Sequence, residues 1–423
     1  MTIKCINPSK LPIRAQVNLP GSKSLTNRAL IIAAMADGET TLNNVLFSDD
    51  IEACLVALRE LGIKLEIDRN QNVVIVFGSG GIIKSDVTLN ARDAGTVSRF
   101  LLPACAALGG NFQFTASKRM CERPMGTLLE NLSKQGVSID YEGEVGYLPL
   151  SINSSKLSGG KYIVPGNKSS QFLSGLLIAS PYAQSDTLLV SGSAHQQPYV
   201  KMTTDIMKSF GVKVECDNNK YYIRNKQKYL ATSYNIEPDI STATYFWALA
   251  ALTGGEVTVA NTCSDSLQGD IQFLNLMTKM NCVVKETDNG ICVKGPEILN
   301  GVTADLRTYS DTFMTVAVLA CFANSKTHLT GLAHTRLQES DRVDCMAKGL
   351  RALGAKVDTT EDTITIFPSN MHAGEVDGCN DHRIAMSLAL VGIRVDGVQV
   401  RGADCVKKTC PDYFERMQLI VQS

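Results

Sequence analysis

The chain has 423 residues, 44% of them hydrophobic and 20% charged, which describes a globular protein too long for one hydrophobic core and suited to two. A net charge of -1 excludes a protein that holds nucleic acid through a basic surplus, and the longest apolar run, within Phe313 to Ala323, falls well short of the roughly 18 residues that cross a bilayer. The thirteen cysteines stand singly, with no CxxC pair and no Cys/His cluster at metal-ligand spacing. They read as reduced, mostly buried thiols in a cytosolic, metal-free protein, and the opening MTIKCINPSK carries no apolar signal segment.

In chain order, Met1 to Leu19 reads as an opening strand, and six copies of one unit follow. Each copy begins with a polar cluster, continues as a very apolar helix and ends in a turn and a β-like run. The first is GSKSLTNRALIIAAMADGETTLNNV and the last DHRIAMSLALVGIRVDGVQVRG. Anchored on Ser24, Thr96, Ser170, Ser241, Asp311 and Asp381, the spacings are 72, 74, 71, 70 and 70 residues. Between anchors a second, amphipathic helix recurs, as in ACLVALRELGIKLEI and MAKGLRALGAKVDT, stopped each time by Gly or by Asn281 before an alternating strand. Each unit is therefore β-α-β-α-β-β. A helix apolar on every side belongs in an interior, so the first helix of each unit is expected at the centre of a domain, with strands outside. Three units per domain predict an α/β protein of two similar domains, 21–238 and 1–20 plus 239–423, with the site in the cleft between them. The sixth copy stops early, and the opening strand is expected to complete it.

The polar clusters lie at the starts of the apolar helices. Ser241, Thr242 and Ser310 read as caps, and Asp239 as a hinge and cap. Lys23 with Arg28, Lys168 before Ser169, Ser170 and Gln171, and Asp381-His382-Arg383 carry more than capping requires. Cations at a helix N-terminus oppose the macrodipole and imply an anion between them, so the substrate is expected to be a small polyanion.

The blocks PGSKSLTNRAL, DAGTVSRFL, KRMCERPMGTLL, SSQFLSGLL, RLQESDR, NDHRIAM and KKTCPDYF, running from residue 20 to 415, resemble the signature blocks of the 5-enolpyruvylshikimate-3-phosphate (EPSP) synthase family, in that family's order. The resemblance implies two inside-out α/β domains. It also implies transfer of the enolpyruvyl group of phosphoenolpyruvate (PEP) to the 5-hydroxyl of shikimate-3-phosphate, with release of phosphate and no cofactor. Lys23, Gly95, Arg123, Gln171, Arg342, Arg383 and Lys408 would take PEP. Shikimate-3-phosphate would meet Lys23, Ser24, Arg28, Ser169, Ser170, Gln171, Gln196, Tyr199, Asp311, His334 and Gln338. Lys23, Asp311, Glu339 and His382 would be catalytic, His382 either as a proton carrier or as an orienting group. No metal, nucleic acid or membrane is implied, and the chain is expected to act as a cytoplasmic monomer. The resemblance also implies inhibition by glyphosate in competition with PEP, beside Gly95.

Several positions depart from the family pattern: Gln338 replaces a usual Lys, Gln196 a Ser, Asp93 and His334 an Asn each, and Phe100 a Pro. Lys168 and Arg336 are candidates to supply the cation that Gln338 cannot. Two rivals remain open. One is the sister family that acts on UDP-N-acetylglucosamine, disfavoured because KRMCERP around Cys121 lacks its Gly-rich loop. The other is a non-catalytic anion binder, which has no need of both Asp311 and Glu339.

Overall fold

The computed structural model describes residues 2–10, 12–165, 170–192 and 197–422. Lys168, Ser169 and Gln196 therefore lie outside the described residues. The chain divides into two compact units, Gly21–Glu237 and Met1–Pro20 with Pro238–Ser423.

The unit Gly21–Glu237 holds three four-stranded sheets built to one rule. In each, two strands pair in parallel, and a hairpin adds two antiparallel strands. The first sheet orders Ser233–Asn235, Asp37–Asn43, Val73–Ser79 and Lys64–Asp68. The second orders Val87–Asn90, Gly110–Thr115, Leu150–Ser154 and Ser138–Tyr141. The third orders Gly160–Val164, Thr187–Ser191, Lys220–Ile223 and Val214–Asp217, with Gly160 opposite Thr187.

The second unit repeats the rule twice, with Arg14–Val17, Glu256–Ala260, Gly290–Lys294 and Val283–Thr287, then Thr303–Asp305, Thr327–Thr330, Ile364–Phe367 and Lys356–Thr359. Its third sheet has three strands, Gly374–Asp377, Val398–Arg401 and Ile3–Cys5. There Ile3–Cys5 takes the antiparallel place beside Val398–Arg401. The opening segment thus gives two strands where the sequence suggested one, because Arg14–Val17 also supplies the parallel edge beside Glu256–Ala260.

The apolar helices occupy the interior of each unit. Every residue from Ile240 to Leu252 is buried, as is all of Phe313–Cys321. Trp247 lies in that core and satisfies its indole N–H on the Ile291 carbonyl at 3.0 Å. Helices Gly95–Leu108 and Ser170–Ala179 approach so closely that a Cβ on Gly175 would stand 2.2 Å from the Arg99 carbonyl oxygen. Only glycine lets the two backbones meet there. The amphipathic helices end as their pattern required: Gly62, Gly136, Gly211, Asn281 and Gly354 all have positive φ, between 77° and 96°.

Two sequence readings change. Six of the thirteen cysteines are buried, while Cys5 and Cys216 are exposed and the other five partly covered, so the thiols are less hidden than expected. Asp239, not Ser241, caps Ile240–Thr253 by accepting from the Thr242 N–H at 2.8 Å. The Ser241 hydroxyl instead donates to Asp270. Among the described residues, no helix is long and apolar enough to cross a membrane.

Candidate active site

In the unit that contains Asp311, the charged residues singled out in the sequence form one connected cluster. Helix Arg342–Ala352 begins with Arg342, and helix His382–Ala389 begins with His382 and Arg383. Asp381 caps the second helix by accepting from the Arg383 backbone N–H at 3.0 Å. The same carboxylate accepts the Arg342 Nε–H at 2.8 Å and the Ser340 hydroxyl at 3.0 Å. Arg342 Nη1 donates to Asp311 Oδ1 at 2.8 Å and also to Gln338 Oε1, and Arg383 Nη2 meets Asp311 Oδ2 at 2.9 Å. Asp311 is therefore shared by two arginines. Glu339 sits between His382 Nδ1 at 3.0 Å and Lys408 Nζ at 3.1 Å.

These charges are nearly dry, with Arg342 and Asp381 side chains 4% and 0% exposed. Burial opposes the charged form of each, and the partners win. Asp381, pushed up by burial, is held below its ordinary value chiefly by Arg342. Arg342 and Arg383 are pulled down by burial yet held above the ordinary arginine value, Arg342 first by Asp381 and Arg383 first by Asp311. Asp270, beneath Ser241, is pushed up to about 7 by burial first and the charge of Asp311 second. Glu339, Asp381 and His382 each bring one ligand atom within 4.8 Å of the others, the only such trio among the described residues. Their carboxylates are already matched with Arg342 and Lys408.

His334 accepts from or donates to the Ser310 hydroxyl at 2.9 Å, so Ser310 reads as a support for His334 and not as a cap. Arg336 grips both oxygens of Asp341, at 2.9 and 2.8 Å, and donates to the carbonyls of Glu361 and Thr360. Those bonds occupy the Arg336 guanidinium.

In the unit Gly21–Glu237, Lys23 opens helix Lys23–Met35 and pairs with Asp50 at 3.2 Å. Arg28, one turn on, is fully buried and ties three helices together. Its N–H groups reach Thr203 Oγ1 at 2.8 Å, the Ser24 carbonyl at 3.0 Å, Ser174 Oγ at 3.3 Å and the Tyr199 carbonyl at 3.4 Å, with Phe100 stacked at 4.9 Å. Burial against neutral partners lowers its pKa to about 10. Ser24 and Tyr199 thus meet Arg28 through their carbonyls, and Ser170 begins its helix, partly covered. Gly95 opens helix Gly95–Leu108 directly against Arg123: an added Cβ would lie 2.9 and 3.1 Å from the guanidinium nitrogens. Gln171 accepts from Arg99 Nη1 at 2.7 Å.

Sequence reasoning missed Arg99, Asp50 and Asp270. Arg99 is buried, with its guanidinium between Gln171 and the Pro124 carbonyl, and it is held well below the ordinary arginine value by burial first and by Arg123 second. Its signal was present: a charged residue inside an otherwise apolar helix. Asp50 lay in a helix start, where an acidic residue is ordinary.

The family model for EPSP synthase (3-phosphoshikimate 1-carboxyvinyltransferase) matches residues 8–417. The 3-phosphoshikimate 1-carboxyvinyltransferase of Trichormus variabilis is 40% identical over 408 residues, covering 96% of each chain. That of Shewanella piezotolerans is 38% identical over 419 residues, covering 96% of this chain and 97% of its own. The solved EPSP synthase of Acinetobacter baumannii superposes with a TM-score of 0.86 at 28% identity, covering 98% of this chain and 97% of that one. Its fold and the family match agree with the six repeats and the charged helix starts, and the chain belongs to the EPSP synthase family.

Proposed function

We propose that the chain transfers the enolpyruvyl group of PEP to the 5-hydroxyl of shikimate-3-phosphate and releases phosphate, as a cytoplasmic monomer with no metal or cofactor. One observation carries the assignment of roles: two carboxylates, Asp311 and Glu339, stand in one cluster, each held by two basic side chains. A binding module gains nothing from such a pair, whereas addition to PEP needs an acid and a base. Thirteen unpaired thiols suit a reducing compartment.

Protonation of PEP at C3 makes C2 cation-like and open to the hydroxyl. Glu339, in contact with His382 and Lys408, is the proton donor to C3. Asp311, already an acceptor for two arginines, takes the proton of the 5-hydroxyl. The product of this addition is a tetrahedral ketal phosphate, and expulsion of phosphate with loss of a C3 proton restores the enol ether. Arg123, Arg342, Arg383, Lys408 and Lys23 neutralise the phosphate and carboxylate of PEP, with Gly95 and Gln171 lining its place. Arginine suits this role because its fork binds oxyanions in pairs and stays charged. Ser24, Arg28, Ser169, Ser170, Gln196, Tyr199, His334 and Gln338 are the residues proposed to take the acceptor.

The test is phosphate release from PEP with shikimate-3-phosphate, and UDP-N-acetylglucosamine as the control acceptor. Release should require both substrates, ignore the UDP-sugar and survive EDTA. Loss with chelator and recovery with a divalent cation would assign the Glu339, Asp381 and His382 trio to a metal and overturn the metal-free mechanism.

A further inference from the structure

Thr335 and Arg342 are buried, but no residue between them is, and Leu337 is 81% exposed. This stretch carries Gln338 and Glu339, so polar bonds, not a core contact, must order its backbone. Arg336 supplies the anchor. Its Nη1 grips both oxygens of Asp341 at 2.9 and 2.8 Å, its Nε donates to the Glu361 carbonyl at 2.9 Å and its Nη2 to the Thr360 carbonyl at 2.6 Å. Asp341 in turn caps helix Arg342–Ala352 by accepting the Asp344 N–H at 2.9 Å. The ion pair thus closes the chain into a loop whose inner members are Leu337, Gln338, Glu339 and Ser340.

The surface that Arg336 grips is itself fixed. Thr360 and Glu361 lie in the turn between strands Lys356–Thr359 and Ile364–Phe367. Across that turn the Thr360 N–H donates to the Thr363 carbonyl at 3.0 Å, and the two threonine hydroxyls meet at 2.8 Å. The Asp362 carboxylate accepts the N–H groups of Gly331 at 3.0 Å and Ala333 at 2.9 Å, where the turn Ala333–Leu337 begins. One hairpin tip therefore holds the segment at Ala333 and again at Arg336.

We propose that Arg336 is a positioning residue for Glu339: by locking the chain between the hairpin tip and the helix start, it sets Glu339 against His382 at 3.0 Å and Lys408 at 3.1 Å. This inference rests on the proton-donor role proposed for Glu339. Charge alone does not suffice for the task. A planar guanidinium meets a carboxylate on one edge and two carbonyls on the others, whereas an ammonium on a flexible stem cannot reach all three at once. The cations assigned to PEP on helices Arg342–Ala352 and His382–Ala389 keep their own partners when the lock is lost, and Gln338 stays tied to Arg342. Loss of Arg336 should therefore act on the proton transfer and not on substrate binding.

Arg336→Met and Arg336→Lys in the full chain, set beside wild type, give the test. In Arg336→Met, kcat for phosphate release should fall about 10- to 100-fold, as small misplacements of a reacting group do, while the KM values for PEP and shikimate-3-phosphate move little. Arg336→Lys should regain only a minor part of kcat. Hydrogen exchange read by mass should quicken in peptides covering 332–341 in both variants and stay unchanged in those covering 382–389; a merely structural role would loosen both together and lower the urea midpoint with them. Unchanged exchange at 332–341, an unchanged kcat, or wild-type kinetics in Arg336→Lys would overturn the proposal. So would a raised KM for shikimate-3-phosphate with kcat held, which would make Arg336 a cation for the acceptor's phosphate. A wild-type chain that releases no phosphate would refute the reaction assigned, and the exchange measurement would still decide whether Arg336 holds the segment.

Discussion

Asp381 Oδ2 accepts the Nε–H of Arg342 at 2.8 Å while its Oδ1 caps the helix that starts with His382 and Arg383. One buried carboxylate thus fixes a guanidinium on one helix and the first turn of another. Removing it leaves Arg342 with less than its matching charge in a dry site. Asp381→Ala should destabilise the chain by about 3–5 kcal/mol, as breaking a buried ion pair from one side does, with the lost cap included. Asp381→Asn keeps an acceptor for the cap and should cost clearly less. Urea unfolding of the three proteins decides it; equal stability of Ala and wild type would show the ion pair to be idle.

Arg123 and Arg383 carry the assignment of the PEP site. Each Ala variant should lose about 2–4 kcal/mol of transition-state stabilisation, read as kcat/KM. Lys should restore little, because Arg383 reaches Asp311 through one arm of a planar fork that Lys lacks. Wild-type kinetics in both Lys variants would reduce these arginines to structural roles.

Gly95 leaves room against Arg123 that an alanine fills. A Cβ there presses on the guanidinium at 2.9 Å, the far end of a flexible side chain that can move aside. Gly95→Ala should therefore fold, keep most affinity for PEP and raise the inhibition constant of the longer glyphosate far more than the KM for PEP. Equal changes in the two constants would show that position 95 does not discriminate.

Asp270 gives a pH signature. Its carboxyl rises on folding from 3.8 to about 7, through burial first and Asp311 second. A carboxyl raised on folding binds its proton more tightly in the folded chain, so its contribution is most favourable at low pH and is lost as pH climbs from about 4 through about 7. Asp270→Asn cannot ionise and escapes that loss. Its unfolding free energy should gain on wild type by up to about 1.4 kcal/mol per pH unit across the window and run level above it. Urea titrations at several pH values test this; a constant difference would mean that Asp270 is ionised throughout.

Gln338 is spoken for by Arg342, which donates to its Oε1. Gln338→Lys removes that acceptor and sets an ammonium beside the guanidinium. The added cation should lower the KM for shikimate-3-phosphate, while the disturbed Arg342 should raise that for PEP. Arg336 is paired with Asp341, and Lys168 is the candidate proposed to supply the missing charge, so Lys168→Met should weaken the acceptor selectively. An unchanged acceptor KM in Lys168→Met would sink that reading.

Much of this molecule was written along the chain. The period of about 70 residues, with apolar helices at its anchors and left-handed stops at Gly62, Gly136, Gly211, Asn281 and Gly354, is local information, because hydrophobic period and backbone handedness are properties of neighbouring residues. So were the cationic helix starts at Lys23 and Arg383. What the chain could not display was pairing at long range. Arg28 donates to Thr203, Ser174 and two carbonyls, and these partners lie up to 175 residues away in sequence. Arg336 turned to Asp341, Ser241 to Asp270, and Ile3–Cys5 to a strand near the other end of the chain. A charged or hydroxylic side chain has no period that announces its partner; the partner is chosen by which backbones the packed helices bring within about 3 Å, and only the tertiary structure decides that.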